Sequence, residues 1–290
     1  MPAHNDKDLV RRHYATDDNL RIRHEIHEKY TVPKRDYVSW VLERLSWGGQ
    51  ERVLDLGCGP GTYYNRLIQL QPHVEYVGMD LLPTMLAKHP AKNRLSLGNA
   101  VRLPFADHTF DVVMANHMLH HVPNIGHTMR EVSRVLRPGG IFVVATNSVQ
   151  SMPELQVLMR RAIVLLTRHN AADIRPPSMP SDGFALENGT RVLSRYFFSV
   201  VRHDLPSALI FPEVEPAMAY LESTRDMRES QLPDDVIWED VMMIMRQQIN
   251  QLIKHLGELV INKQSGVLLA TDTGGPIAQY LQFANNGHTS

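Results

Sequence analysis

Between residues 51 and 147 the chain alternates short apolar runs with segments of helical spacing. RVLDL (52–56), EYVGMD (75–80), RLSLGN (94–99), DVVMAN (111–116) and IFVVAT (141–146) read as five strands. Helical patterns near 62–71, 83–91 and 124–137 separate them, which is the signature of βαβ units and a parallel sheet. RPGG (137–140) stops the last helix, because Pro138 cannot continue it and the glycines after it accept positive φ.

Two regions fall outside this alternation. Within 6–47 the pattern predicts short helices, with Ile22, Ile26 and Tyr30 recurring at i, i+4 and i+8 beneath a charged face. After residue 150, Ser151 and Glu154 have the spacing of a capping box, and Leu155, Leu158, Met159, Ala162, Ile163 and Leu166 follow at helical intervals. The proline-rich IRPPSMPSDG (174–183) reads as a loop. A long helix is predicted from about 233 to 260, with Ile237, Val241, Ile244, Met245, Ile249, Leu252 and Ile253 on one face. Further strands are predicted at 199–204, around 208–211 and at 266–271.

The chemistry begins at VLDLGCGPG (53–61). Gly57, Gly59 and Gly61 follow a strand and precede a helix, where the missing Cβ atoms permit a tight turn and let a ligand touch the main chain. Asp80 closes the next strand 23 positions after Gly57, the right distance for a carboxylate to take the two hydroxyls of a ribose. These features point to an adenosine-containing cofactor at the carboxyl end of the first strand. A dinucleotide fingerprint would read G-x-G-x-x-G; here it is G-x-G-x-G with Asp55 beside it. That acid would repel a pyrophosphate and suits an ammonium. The Tyr-x-x-x-Lys pair of a short-chain nicotinamide enzyme occurs only at Tyr30 and Lys34, before the glycine loop and with Pro33 inside it. A glycine turn of purely structural use would leave the acid and the later motifs as coincidence.

VLDLGCGPG resembles the first motif of the class I S-adenosylmethionine-dependent methyltransferases. VGMDLLPTML resembles the second, GNAVRLPFADHTFDVVMANHMLHHV the third and fourth, and EVSRVLRPGGIFVVAT the stretch into strand five. The resemblance covers residues 51–147 and is similar to the ubiquinone/menaquinone-type group, with a type 11-like core. It implies S-adenosyl-L-methionine as cofactor and S-adenosyl-L-homocysteine as product. It further implies that Asp55, Gly57, Gly59 and Gly61 line the methionyl part and that Asp80 binds the ribose. Leu81 and Met85 would then pack near the adenine. Asn99 and Ala100 stand where the family has an acid and a small residue, and the Asn99 amide oxygen can still accept from the adenine amino group. Asn116 and His117 occupy the strand-four end that faces the sulfonium.

The expected architecture is therefore α/β, a doubly wound Rossmann-like sheet of seven strands with the last antiparallel. An N-terminal helical cap (1–48) precedes the cofactor-binding core (49–148). A helical lid insertion after strand five, carrying the remaining strands, spans 149–262, and the last strand and tail span 263–290.

Composition narrows the acceptor. Lys and Arg total 30 against 31 Asp and Glu, so no overall field draws the chain to nucleic acid or an anionic membrane. Cys58 is the one cysteine, which excludes internal disulfides, cysteine-based metal sites and a second thiol for cytosine-C5 chemistry. It reads as a small buried filler in the loop. The N-terminus lacks an apolar signal core, and no run approaches a membrane span of about 18 apolar residues, so a cytoplasmic enzyme is expected. Asn116-His117-Met118-Leu119 replaces the Asn/Asp-Pro-Pro-aromatic motif of enzymes that methylate nucleobase amines. A small-molecule acceptor is the remaining class, with no nucleic acid or membrane partner and no resident metal. An RNA or protein methyltransferase, or a protein that holds the cofactor without chemistry, stays open.

His117, His120 and His121 cluster beyond strand four, and His121 or His117 would serve as a general base if one is needed. Packing under the cofactor is the plainer role for a histidine there, and no nearby carboxylate completes His-x-x-His-His as a metal set. Tyr14, Arg23, His27 and Tyr30 are candidates to face the acceptor from a leading lid helix, the alternative being a solvated helix face with ordinary charge pairs.

Overall fold

The computed structural model describes residues 18–274. The chain enters through α1 (Asp18–Tyr30), a two-residue strand β1 (Thr31–Val32) and α2 (Tyr37–Leu42). The alternating core follows: β2 (Arg52–Leu56), α3 (Thr62–Leu70), β3 (Glu75–Asp80), α4 (Pro83–Leu86), β4 (Leu95–Leu97), β5 (Phe110–Met114), α5 (Ile125–Val135) and β6 (Leu136–Asn147). Then come α6 (Pro153–Leu166), α7 (Leu186–Leu193), β7 (Ser199–Phe211), α8 (Val214–Glu222), α9 (Arg225–Arg228), α10 (Trp238–Leu256) and β8 (Leu259–Thr271).

One sheet takes all eight strands, in the order β1-β7-β8-β6-β5-β2-β3-β4. β2 is parallel to β3 and β5, β3 to β4, and β5 to β6, whereas β8 runs antiparallel to both its neighbours, β6 and β7. The core is thus the expected seven-stranded α/β sheet with its last strand antiparallel. β1 adds an eighth strand, antiparallel on the β7 edge. Neighbouring positions sort to opposite faces: Val53, Val143 and Val267 join α2 and α3 on one side, while Leu54, Val144 and Leu268 meet α5 and α7 on the other. Both faces being buried explains the uninterrupted apolar runs. A third cluster, beyond one end of the sheet, joins α1, α6, α8 and α10 around Phe211, Met159 and Trp238.

Several expected elements shift. The helix near 83–91 closes after Leu86, because His89 turns inward, its Nδ1 accepts the Ala91 amide at 3.0 Å, and Pro90 follows. The two strands at 199–204 and 208–211 are one, β7, paired continuously with β8 through Pro206. β1 covers that edge only at Ala208 and Leu209, so the proline sits on an open stretch where its missing N–H costs no ladder bond. The capping box at Ser151 does not form. Ser151 Oγ accepts the Gln264 amide at 3.2 Å and the Glu154 carboxylate accepts the Asn262 amide at 3.0 Å, tying the start of α6 to β8. The long helix is shorter at both ends, and Gly257 (φ 88) closes it with its N–H on Ile253 O at 2.8 Å. Helices occupy the connection from β7 to β8 as well as that from β6 to β7.

Candidate active site

The carboxyl ends of β2, β3 and β5 open into a cavity of about 1130 Å³, roofed by α1 and bounded behind by β7 and β8. It exceeds the roughly 300–1,000 Å³ of an ordinary small-molecule pocket, leaving room for two ligands side by side. The glycine loop forms its floor. Gly57, Gly59 and Gly61 all take positive φ, which an L side chain rarely adopts. They do different work. A Cβ on Gly57 would meet Met118 Cβ at 2.8 Å, and one on Gly61 would meet Pro90 Cδ at 2.7 Å. Gly59 has no atom within 4 Å of that point, so its bare backbone faces open cavity. Gly61 caps α3 and does not line the cavity.

Asp80 anchors this loop. Its Oδ2 accepts the Gly59 amide at 2.9 Å and its Oδ1 the Leu82 amide at 2.8 Å. Burial lifts its carboxyl above the usual range while those amides oppose the rise. Asp55 is almost fully buried and is pushed up to about 7, chiefly by burial. Among the described residues its hydrogen-bond partner is the Tyr76 hydroxyl, which donates to Oδ2 at 3.0 Å. Behind it, Tyr76 O meets His89 Nε2 at 3.0 Å. Because His89 Nδ1 accepts the Ala91 amide, Nε2 carries the ring proton and donates to Tyr76. Burial lowers His89 to about 4, so the ring is neutral and the relay ends on Asp55. The sequence reading missed this His89–Tyr76–Asp55 line, whose members lie 13 and 21 positions apart.

Leu81, Met85, Asn99 and Ala100 line the cavity, and Met85 and Ala100 are buried. Asn99 Oδ1 accepts the Val101 amide at 3.2 Å. Asn116 Oδ1 accepts the Ala145 amide at 3.2 Å, which leaves its sealed Nδ2 without a hydrogen-bond partner among the described residues.

His117 holds a left-handed backbone (φ 53) and donates its amide to Ala145 O at 2.8 Å. Its ring lies 5.6 Å from that of Tyr37. Burial, reinforced by Lys263, drops it to about 4, too low for an effective proton acceptor near neutrality. His121 ends a 3₁₀ turn (Leu119–His121), lines the cavity, and sets its ring 4.1 Å from that of His120. Among the described residues no group of His, Cys, Asp and Glu is placed to hold a metal ion.

Of the candidates on the leading helix, Arg23 and His27 reach the cavity. Arg23 Nη1 donates to Ser223 O at 2.6 Å, tying α1 to the end of α8, and the His27 ring meets Tyr220 edge-on at 5.7 Å. Tyr30 does not line the cavity: its ring packs against Phe211 at 5.2 Å, on the apolar side of α1 with Ile22 and Ile26. Tyr14 lies outside the described residues. Lys263, Tyr37, Tyr63 and Tyr220 also line the cavity and were not singled out from the sequence. Burial pushes the Cys58 thiol up, as a filler would be, and no helix among the described residues is long and apolar enough to cross a membrane.

Residues 54–144 match a family described as methyltransferase domain. A malonyl-[acyl-carrier protein] O-methyltransferase of Legionella pneumophila is 33% identical over 138 residues, 45% of this chain and 49% of that protein. A ubiquinone/menaquinone biosynthesis C-methyltransferase of Dinoroseobacter shibae is 32% identical over 136 residues, 44% of this chain and 53% of that one. The chain thus spans about half the length of these curated relatives. Among solved structures, a Haemonchus contortus phosphoethanolamine N-methyltransferase holding phosphomonomethylethanolamine and S-adenosylhomocysteine superposes with a TM-score of 0.54. It is 14% identical, the match covering 94% of this chain and 61% of that one. The match to the methyltransferase domain family covers residues 54–144, and the fold around them is shared with that solved N-methyltransferase.

Proposed function

We propose, with a methyltransferase domain at residues 54–144 as premise, that this chain transfers a methyl group from S-adenosylmethionine to a small-molecule acceptor held in the same cavity. The observation that carries the reading is the cavity floor: Gly59 bare and open, Asp80 fastening the loop, and Asp55 buried against the Tyr76 hydroxyl. Asp80 would hold the ribose, Asp55 would face the ammonium, and the unpartnered Asn116 Nδ2 offers a donor beside them. Leu81, Met85, Asn99 and Ala100 would receive the adenine. Bound there, the cofactor supplies a methyl group already activated on a sulfonium.

The chain's own contribution is alignment and exclusion of water, effects that supply several kcal/mol. α1 and the 174–183 segment, through Met179 and Pro180, form the cover over the acceptor side. In this reading 49–148 hold the cofactor, while the leading helices and those of 149–262 build the lid, with the proline-rich segment as one hinge. His117 serves as a wall. His121 is the candidate base: replacing it with alanine should slow turnover by about 10²-fold if it takes a proton, and an unchanged rate would leave alignment alone as the source of acceleration. Incubation with methyl-labelled cofactor and a broad panel of small acids, phenols and amines, with products identified by mass spectrometry, tests the reaction. Transfer to none of them would leave a cofactor-binding protein.

The loop gives a sharper contrast. Gly59→Ala puts a methyl group into open cavity and should weaken S-adenosylhomocysteine binding by about tenfold or more, with a loss of stability near the 1–2 kcal/mol of a left-handed alanine. Gly57→Ala drives its Cβ into Met118 and should lower the melting temperature further. Calorimetric titration and thermal melts of the two variants separate the effects.

A further inference from the structure

β8 lies inside the sheet, between β6 and β7. One of its faces presents Leu259, Ile261, Lys263, Ser265, Val267 and Leu269 in alternation. The four aliphatic members are buried in the core, and the row is interrupted at Lys263 and Ser265, where it passes the cavity. A lysine on an interior strand is costly unless something answers its charge. Among the described residues no carboxylate lies within ion-pair distance of the ammonium and no hydrogen bond reaches it; burial alone depresses it to about 8. The buried acids of the cavity are committed elsewhere, Asp55 to Tyr76 and Asp80 to the Gly59 and Leu82 amides.

Two imidazoles from other elements approach the same spot. His27, from α1, and His117, beyond β5, each feel the Lys263 charge, and burial holds both in the neutral form near pH 7. The Nδ1 of His27 is sealed from solvent without a hydrogen-bond partner among the described residues. Lys263 is therefore the cation of the trio, mostly protonated at neutral pH, beside a neutral ring with an unused nitrogen. Leu20, Leu205, Met179 and Met227 contribute apolar lining to the same cavity.

We propose that Lys263, with His27 beside it, is the subsite for an anionic oxygen of the methyl acceptor, so that the acceptor is an acid on an apolar body. This deepens the proposed function and rests on it. An acidic oxygen supplies a counter-charge for the ammonium that the described residues do not, while the aliphatic walls take the rest of the molecule. Because the site adjoins His117, at the strand end assigned to the sulfonium, the ammonium holds the acceptor's negative charge close to the transferring methyl group.

The test uses the full chain saturated with S-adenosylhomocysteine and two probes of equal shape, 2-naphthoate and the uncharged 2-naphthamide. The wild type should bind the acid at least about tenfold more tightly than the amide. Lys263→Met should remove the preference, Lys263→Arg should retain most of it, and all three proteins should bind S-adenosylhomocysteine alike. Equal affinity for acid and amide, absence of saturable naphthoate binding, or a preference that survives in Lys263→Met would overturn the subsite while leaving the proposed function standing. Failure of the wild type to bind S-adenosylhomocysteine would overturn both.

Discussion

Replacing Asp80 with alanine should weaken S-adenosylhomocysteine binding by about 10²-fold. Two ribose hydroxyls would lose their acceptor, at about 1 kcal/mol each. The carboxylate also fixes the floor itself, since its two oxygens hold the Gly59 and Leu82 amides. Alanine leaves both amides without that acceptor and releases the loop that the ligand must find in place. Asp80→Asn keeps one acceptor oxygen and should fall between alanine and the wild type. Calorimetric titration of the three proteins at one pH checks the order, and equal affinities would show that Asp80 does not reach the ligand.

Asp55 gives the second large effect, and it has opposite signs for stability and binding. Its folded pKa, about 7, lies above the ordinary carboxylate value because burial disfavours the charged form more than the Tyr76 hydroxyl supports it. A raised carboxyl binds its proton more tightly folded than unfolded. The stabilisation it contributes is complete below about pH 4 and is lost as pH rises toward 7. Asp55→Asn can keep the bond from Tyr76 without that loss, so it should melt higher than the wild type at pH 8 and much like it at pH 4. The ligand's ammonium wants the ionised form, so wild-type affinity for S-adenosylhomocysteine should rise with pH up to about 7 and then level. In Asp55→Asn the rise should vanish and affinity at pH 8 should drop by about 30-fold. Melting curves and titrations at pH 5.5 and 8 test both halves. A variant that is less stable and binds unchanged would contradict the assignment.

The parallel half of the sheet was legible because each strand is a local apolar run, and the glycine loop because its chemistry lies within nine consecutive residues. Elements set by distant partners were not. β1 exists only through its pairing with Leu209 and Ala208. Ser151 and Glu154 had the spacing of a cap and instead hold β8. Tyr30 shows two local signals in conflict: its place in the Ile22–Ile26 row pointed to the core, its polar tip to the site, and packing against Phe211 took it inward. The glycine motif by itself could not show that a side chain at Gly57 would meet Met118 or that one at Gly61 would meet Pro90. Lys263 did leave a trace, a charged residue breaking the alternate apolar row of a strand, which the shorter expected strand at 266–271 left out.

The most direct measurement is a calorimetric titration of the unaltered chain with S-adenosylhomocysteine, run beside Asp80→Ala. The expected result is a saturable isotherm with one ligand per chain in the wild type and a marked loss of affinity in the variant. A wild-type titration without binding heat across temperatures, or an isotherm indifferent to Asp80, would contradict a cofactor site at the carboxyl ends of β2 and β3.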